Sequence, residues 1–352
     1  MKRKAATLKD IAAEAGLSVA TVSYVLNNTN NPLGPETRNR VLEISRRLNY
    51  QTNWAAKGLK TARYNAVGVM VEDIRGHFVP AIINGISQYA EEHGLGILLF
   101  NLRMDSKTDI QNSYNIGEYA EWIKNMAQGI LRQQVDGLIY VGAFYRDVQG
   151  LFHDLDLPHA YVYCYASGDS NVSSVYYDDE LAAYEATRYL LEMGHRKIAH
   201  IEGLEASEPG RKRKDGYCRA LQQAGIKVEK KYIAEGKFNM QKAQEVALRF
   251  LLSEDPPTAI FAASDLMAKG VYDACVSLGL TIPGDLSVMG FDDAEVASLL
   301  SPTLSTMAMP THEMGHRIID DLINHAEEAQ KTLLPCQLIK RHSVAESRNL
   351  YA

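Results

Sequence analysis

Towards its C-terminal end the chain spells His312-Glu313-Met314-Gly315-His316. On a helix, H-E-x-x-H puts two histidines on one face, where they could hold zinc while the glutamate serves as base. Taken alone it would mark a zinc hydrolase. The pattern specifies only three positions, and no H-x-x-G-x-x-H extension follows it, although His325 or Glu328 could supply a third ligand. A phosphate loop, a dinucleotide fingerprint and a G-x-S-x-G elbow are absent from the sequence. The expectation is therefore a protein with no catalytic residue, no metal and no cofactor. Cys164, Cys218, Cys275 and Cys336 form no C-x-x-C pair and read as small buried hydrophobes of a reducing compartment.

The charge pattern points to phosphate chemistry instead. Residues 1–63 hold eleven Lys and Arg against four Asp and Glu, a net of +7, which leaves −13 for the remainder of a chain whose total is −6. A basic module on an acidic body suits a nucleic-acid partner for the first part only. The basic N-terminus is followed by no apolar stretch of signal-peptide kind, and no run approaches the length of a membrane span, so a cytoplasmic protein with no membrane partner is expected.

The elements that would position this basic module are short helices. Thr7 is placed to cap a helix carrying Leu8, Ile11, Ala12 and Ala15 at helical spacing, with Asp10 at the acidic third position and Gly16 as its stop. Ser18 is placed to cap a second helix, Val19 to Leu26, with Val22, Val25 and Leu26 facing inward. Two short helices across a Gly-containing turn are the helix-turn-helix signature. Pro35 opens a third helix that reads through Val41, Leu42, Ile44 and Leu48 to Asn49-Tyr50.

The segments TLKDIAAEAGLSVATVSYVLNN and ETRNRVLEISRRLNY closely resemble the headpiece of the lactose-repressor/galactose-repressor (LacI/GalR) family. The resemblance implies that the second helix enters the major groove of an operator. Val19, Ala20 and Tyr24 then fall at the base-reading positions, with Thr7, Leu8, Ser18, Thr21, Ser23 and Asn27 as phosphate or register contacts. Family members that carry Gln or Arg at the reading positions differ here. Val19 and Ala20 offer only apolar contact, and Tyr24 lacks the fork of an arginine, so the operator sequence does not transfer. Gln51 to Lys60 resembles the hinge helix that folds on DNA, with Ala56, Leu59 and Lys60 as its contacts and Leu59 as the minor-groove wedge.

From Ala66 onward, apolar strands alternate with helices. The strands are read at 66–71, 95–100, 136–142, 159–165, 197–203, 259–264 and 286–293. Continuous apolar strands between helices imply buried parallel sheets, and the length of this part implies two of them. EMGHRKIAHIEG, RKRKDGYCRALQQAGI, the stretch from TAIFAASDLMAKG to SVMGFDD, and SPTLSTM resemble the same family's periplasmic-binding-protein-like sensor domain. The expected fold is thus an all-α helix-turn-helix headpiece plus an α/β domain of two parallel-sheet subdomains. The expected boundaries are 1–50 for the headpiece, 51–64 for the hinge and 65–352 for effector binding and dimerisation. Within the last, one subdomain takes about 65–163 and 293–324, the other about 164–292 and 325–352. The crossings are then near Tyr163–Tyr165, Asp292–Asp293 and Asn324–Leu334. The same resemblance puts His312–His316 at the start of a helix in the first subdomain, with Met314 and Gly315 as packing residues.

Pocket residues follow from the resemblance. Arg213 matches the arginine that grips the effector, Asp292 a carboxylate that accepts from sugar hydroxyls, and Phe238 an aromatic that stacks on a sugar face. Ser264 and Asp265 match a polar pair, with Ser264 where asparagine is common, and Tyr163 falls where sugar-binding members carry aspartate. Glu72, Asp73 and Phe78 read as pocket walls, and Asp178 as a helix cap. The implied function is a homodimeric transcription regulator, expected to be a repressor, on a pseudo-palindromic double-stranded DNA operator. A small-molecule effector controls it, a sugar or oligosaccharide first, with a nucleobase or a protein coregulator as the alternatives. The C-terminus carries no leucine heptad, which argues for a dimer over a tethered tetramer.

Overall fold

The computed structural model describes residues 6–27, 33–50, 63–104, 116–167, 171–325 and 329–347. The chain divides into two compact units, Met1–Tyr64 and Asn65–Ala352. No helix among the described residues is long and apolar enough to cross a membrane.

The first unit holds α1 (Leu8–Ala15), α2 (Val19–Asn27) and α3 (Pro35–Arg47). Thr7 and Asp10 cap α1 reciprocally: the Asp10 N–H donates to Thr7 Oγ1 at 3.4 Å, and the Thr7 N–H to Asp10 Oδ2 at 2.7 Å. Gly16 stops the helix at φ 63°, a conformation glycine adopts without steric cost. Ser18 Oγ accepts from the Thr21 N–H at 3.0 Å at the head of α2. The third helix was expected to run to Asn49-Tyr50 but stops at Arg47, because Asn49 turns to φ 50° and breaks the ladder. Ile11, Ala12, Ala15, Val22, Val25, Val41 and Ile44 form the core, with Leu8, Leu17, Leu26 and Leu48 packed around it. Each Val or Ile side chain fully withdrawn from water there contributes about 1.5–3 kcal/mol, and the alanines less.

The second unit is built on β1 (Ala66–Val71), β2 (Gly96–Asn101), β3 (Gly137–Val141), β4 (His159–Val162), β5 (Ser173–Tyr177), β6 (Ile198–Glu202), β7 (Ile233–Glu235), β8 (Ala259–Ala262), β9 (Ser287–Met289), β10 (Thr306–Ala308), β11 (Lys331–Leu334) and β12 (Gln337–Ile339). A six-stranded parallel sheet in the order β11-β5-β4-β3-β1-β2 makes one lobe. A four-stranded parallel sheet, β7-β6-β8-β9, makes the other, and β10 pairs antiparallel with β12 in a separate two-stranded sheet. The helices are α4 (Val79–His93), α5 (Ala120–Leu131), α6 (Asp179–Glu192), α7 (Glu208–Gln223), α8 (Met240–Leu251), α9 (Asp265–Leu278), α10 (Glu295–Leu299) and α11 (Thr311–Asn324).

Five strands escaped the sequence reading: β5, β7, β10, β11 and β12. They are short or, like the alternately exposed β11 at the sheet edge, lack a continuous apolar run. Their placement moves two of the crossings and fixes the third. β5 pairs with β4 and β11 with β5, so the chain stays in the first lobe to Tyr177 rather than leaving near Tyr163–Tyr165. After Asp292 it remains with the second lobe, where Ala297 and Leu304 join that core, and returns only between Ala308 and Thr311. The last crossing follows Leu334, at the far end of the expected stretch Asn324–Leu334, since Ser343 bonds to Val288 of β9.

His312–His316 opens α11. Gly85 on α4 and Gly315 on α11 bring the two helices into backbone contact. A Cβ on Gly315 would lie 2.0 Å from Ile82 O, and one on Gly85 2.0 Å from His312 O. His316 meets the Tyr89 ring edge-on at 5.1 Å. Among the described residues no group of three His, Cys, Asp or Glu is placed to hold a metal, and Glu328 lies outside them.

Candidate functional site

In the first unit, α2 turns its buried residues Val22 and Val25 to the core. Val19, Ala20 and Tyr24 are thereby left on the outer face, with Val19 and Tyr24 about two-fifths exposed. An apolar side chain and a phenol held out to water on a basic three-helix unit are a surface suited to groove contact. Thr7 and Ser18 are exposed but already engaged as caps, while Leu8 is half buried against the core rather than free on the surface. Thr21 and Ser23 are half buried, and Ser18 and Thr21 share a hydrogen bond of 2.8 Å. Asn27 ends α2. Ala56, Leu59 and Lys60 lie outside the described residues.

In the second unit a cavity of about 500 Å³ opens between the lobes. Its walls are loops at the carboxyl ends of parallel strands, where an open α/β sheet presents its unpaired backbone groups and side chains. The first lobe supplies Asp73, His77 and Phe78 after β1, Phe144 after β3 and Tyr163 after β4. The second supplies Arg213 from α7, Phe238 after β7, Ser264 after β8, and Asp292 and Glu295 after β9. Six of the seven residues assigned by resemblance are thus brought together: Phe78, Tyr163, Arg213, Phe238, Ser264 and Asp292.

Asp265 is the exception. It is fully buried beneath the wall, where its carboxylate accepts from Thr306 Oγ1 at 2.6 Å and from the Ala294 N–H at 2.8 Å. It therefore braces the turn that presents Asp292, whose own backbone sits at φ 121°. Burial, and then the neighbouring Asp292 carboxylate, raise the Asp265 carboxyl above its usual range. Glu72 also faces away, holding the Tyr140 hydroxyl at 2.5 Å, Arg146 at 2.5 Å and the Ala143 N–H at 2.8 Å. Ser264 lines the cavity while its Oγ caps α9 through the Met267 N–H at 3.2 Å. Phe238 reaches the cavity because Gly203 lacks a side chain: a Cβ there would lie 2.1 Å from its ring. Asp178 caps α6 through the Leu181 N–H at 2.9 Å.

Arg213 is more committed than its expected role suggests. Nε donates to Asp179 Oδ1 at 2.7 Å, Nη1 to Ala263 O at 2.5 Å and Asp292 Oδ1 at 3.5 Å, and Nη2 to Tyr177 Oη at 3.1 Å. Of five guanidinium N–H groups, these contacts leave one on Nη2 without an acceptor among the described residues. The guanidinium also lies 3.6 Å from the Phe291 ring centroid, a close cation–π contact. Sequence reasoning missed Asp179 and Tyr177. The signal for Asp179 was general: a buried guanidinium requires a buried counter-charge. Burial raises the Asp179 carboxyl, and the Arg213 charge opposes that rise.

His77 was missed as well. Its Nε2 stands 3.2 Å from Asp292 Oδ2, tying the first lobe to the turn after β9. Loss of solvation in the cleft opposes charge on the ring, but the Asp292 carboxylate outweighs it, aided by Asp265 and countered by Arg213, and the pKa rises above 6.5. A histidine raised by a partner contributes stability that is complete below its unfolded pKa and fades as pH climbs through the folded one. His77→Gln should therefore lower the melting temperature more at pH 6 than at pH 8 in parallel thermal melts. An equal loss at both would remove the ion pair.

The family model for bacterial regulatory proteins of the lacI family matches residues 7–53, and that for a periplasmic binding protein-like domain matches residues 187–344. The HTH-type transcriptional repressor CytR of Escherichia coli (strain K12) is 30% identical over 343 residues, 96% of each chain. Among solved structures, the Lac repressor dimer bound to operator and the anti-inducer ONPF is 26% identical, with a TM-score of 0.78 over 97% of this chain and 100% of that one. The complex of the transcriptional regulator CelR with cellobiose is 26% identical, with a TM-score of 0.66 over 96% and 99%.

Proposed function

This chain belongs to the LacI family, and as such is a DNA-binding transcription regulator with an effector-binding domain and not an enzyme; from that premise we propose that it is a cytoplasmic homodimeric repressor governed by a small uncharged effector, a sugar first, held between its lobes. Two headpieces (1–50) read the halves of a pseudo-palindrome through Val19, Ala20 and Tyr24. The hinge segments (51–64), with Ala56, Leu59 and Lys60, meet over its centre. The Lac repressor structure, a dimer on operator, supports this arrangement.

The effector reading rests on the cavity at the carboxyl ends of both sheets. Phe78 and Phe238 offer faces for a ring, and Asp292 accepts from hydroxyls. The cellobiose held by CelR supports a carbohydrate. Phosphorylated ligands fit poorly, because Asp73, Asp292 and Glu295 line the same space and the Arg213 charge is already met by Asp179. An effector bound across the lobes changes operator affinity by its differential affinity for their two arrangements.

Genomic footprinting with the purified protein should give pseudo-palindromic sites, and calorimetry should give heat with a member of a sugar panel that also shifts operator affinity. Heat with purines and with no sugar would replace the carbohydrate by a nucleobase; protection of single half-sites would remove the dimer.

A further inference from the structure

The proposed cavity takes its polarity from a chain of three donors. Arg213 has no acceptor atom, so its Nη2 must donate to Tyr177 Oη, 3.1 Å away. A phenol oxygen that accepts from a cation becomes a stronger donor, because hydrogen bonds in sequence polarise one another. Tyr177 Oη lies 2.6 Å from Tyr163 Oη and donates to it. The two rings are stacked, centroids 5.1 Å apart and planes within 12°. Both are almost wholly buried, and burial raises both phenols well above 10, so both stay protonated.

Tyr163 lines the cavity and accepts from Tyr177, and its own O–H has no acceptor among the described residues, which leaves it for an occupant of the cavity. Its backbone is held at φ 56°, a conformation an aromatic residue seldom takes unless its surroundings enforce it. The Phe78 ring packs edge-on against it at 5.0 Å.

We infer that Tyr163 is a specificity-determining donor, aimed by Tyr177 and Arg213, and that the effector meets it with a lone-pair acceptor: a ring or glycosidic oxygen, a carbonyl, or an unprotonated ring nitrogen. This rests on the reading that the cavity holds the effector, and it deepens it. A carboxylate at this place would demand a donor from the ligand. Tyr163 demands the opposite and turns away an N–H or ammonium group there. Tyr177 is a positioning residue: it sets the direction of the bond and does not itself line the cavity.

Two measurements test this. In ligand-free protein labelled with 13C at tyrosine Cζ, Tyr163→Phe and Tyr177→Phe each delete and thereby assign one ring signal. The downfield hydroxyl proton of the short bond should correlate with Tyr177 Cζ; correlation with Tyr163 Cζ overturns the inference. Calorimetry then compares wild type and Tyr163→Phe with the tightest binder among ribose, cellobiose, adenosine and cytidine. Affinity should fall about tenfold, the usual worth of one such bond, and a change under twofold overturns it. If none of the four binds wild type, the small-effector reading loses its support while the proton assignment still decides the donor's direction.

Discussion

Arg213→Ala should destabilise the effector-binding unit by about 3–5 kcal/mol and abolish its response to effector. The figure is that for removing one partner of a buried ion pair and stranding the other. Asp179 has no exposed surface, and its Oδ2 already lacks a hydrogen-bond partner, so it has no route to water when the guanidinium goes. Tyr177 and the Ala263 carbonyl lose their donor in the same step. Urea denaturation of the two variants separates the causes. Arg213→Ala combined with Asp179→Ala should recover part of the loss, since the uncompensated carboxylate is gone. A single-variant loss below about 1 kcal/mol would show that the pair contributes little. Arg213→Lys keeps the charge but cannot reach Asp179, Ala263, Asp292 and Tyr177 at once, so it should keep most stability and lose effector affinity.

Gly315→Ala is the second large effect, expected at about 1–3 kcal/mol, the range for overpacking a close contact. The obstruction is backbone on both sides: Ile82 O against Gly315, and His312 O against Gly85. Neither side can yield by changing a rotamer, so α4 and α11 must separate. Because α11 also rests on Leu322 against Gly137 of β3, the shift would spread into the six-stranded sheet. The same experiment decides the meaning of H-E-x-x-H. Gly315→Ala should lower the melting temperature with chelator present or absent, while His312→Ala, at an exposed position, should leave it nearly unchanged. Stoichiometric zinc in purified protein, lost on His312→Ala, would reverse this reading.

What the sequence by itself determined was local. A cap, a stop and an apolar spacing are read within a few residues, so Thr7, Gly16 and Ser18 were placed correctly, and the motif they punctuate is specific enough to announce its family. The long apolar strands were legible for the same reason, as runs of residues with one fate. Tertiary structure decided wherever a residue's role depends on a distant partner. β5 opens with Ser173 and Ser174, which no apolar run marks as strand and which the pairing with β4 and β11 makes one. Two of the crossings moved because of such pairings. Asp265 and Asp292 are alike in isolation, yet Thr306 and Ala294 close over one and leave the other facing the cavity. H-E-x-x-H reads as chemistry until Ile82 is seen against Gly315. The seven residues assigned to the cavity came from positions spread over more than two hundred residues, and six of them meet because two parallel sheets turn the carboxyl ends of their strands to it, with Arg213 added from α7. The polarity of that cavity is still more remote from sequence. It arises because Arg213 can only donate, and so turns Tyr177, and through it Tyr163, into donors as well.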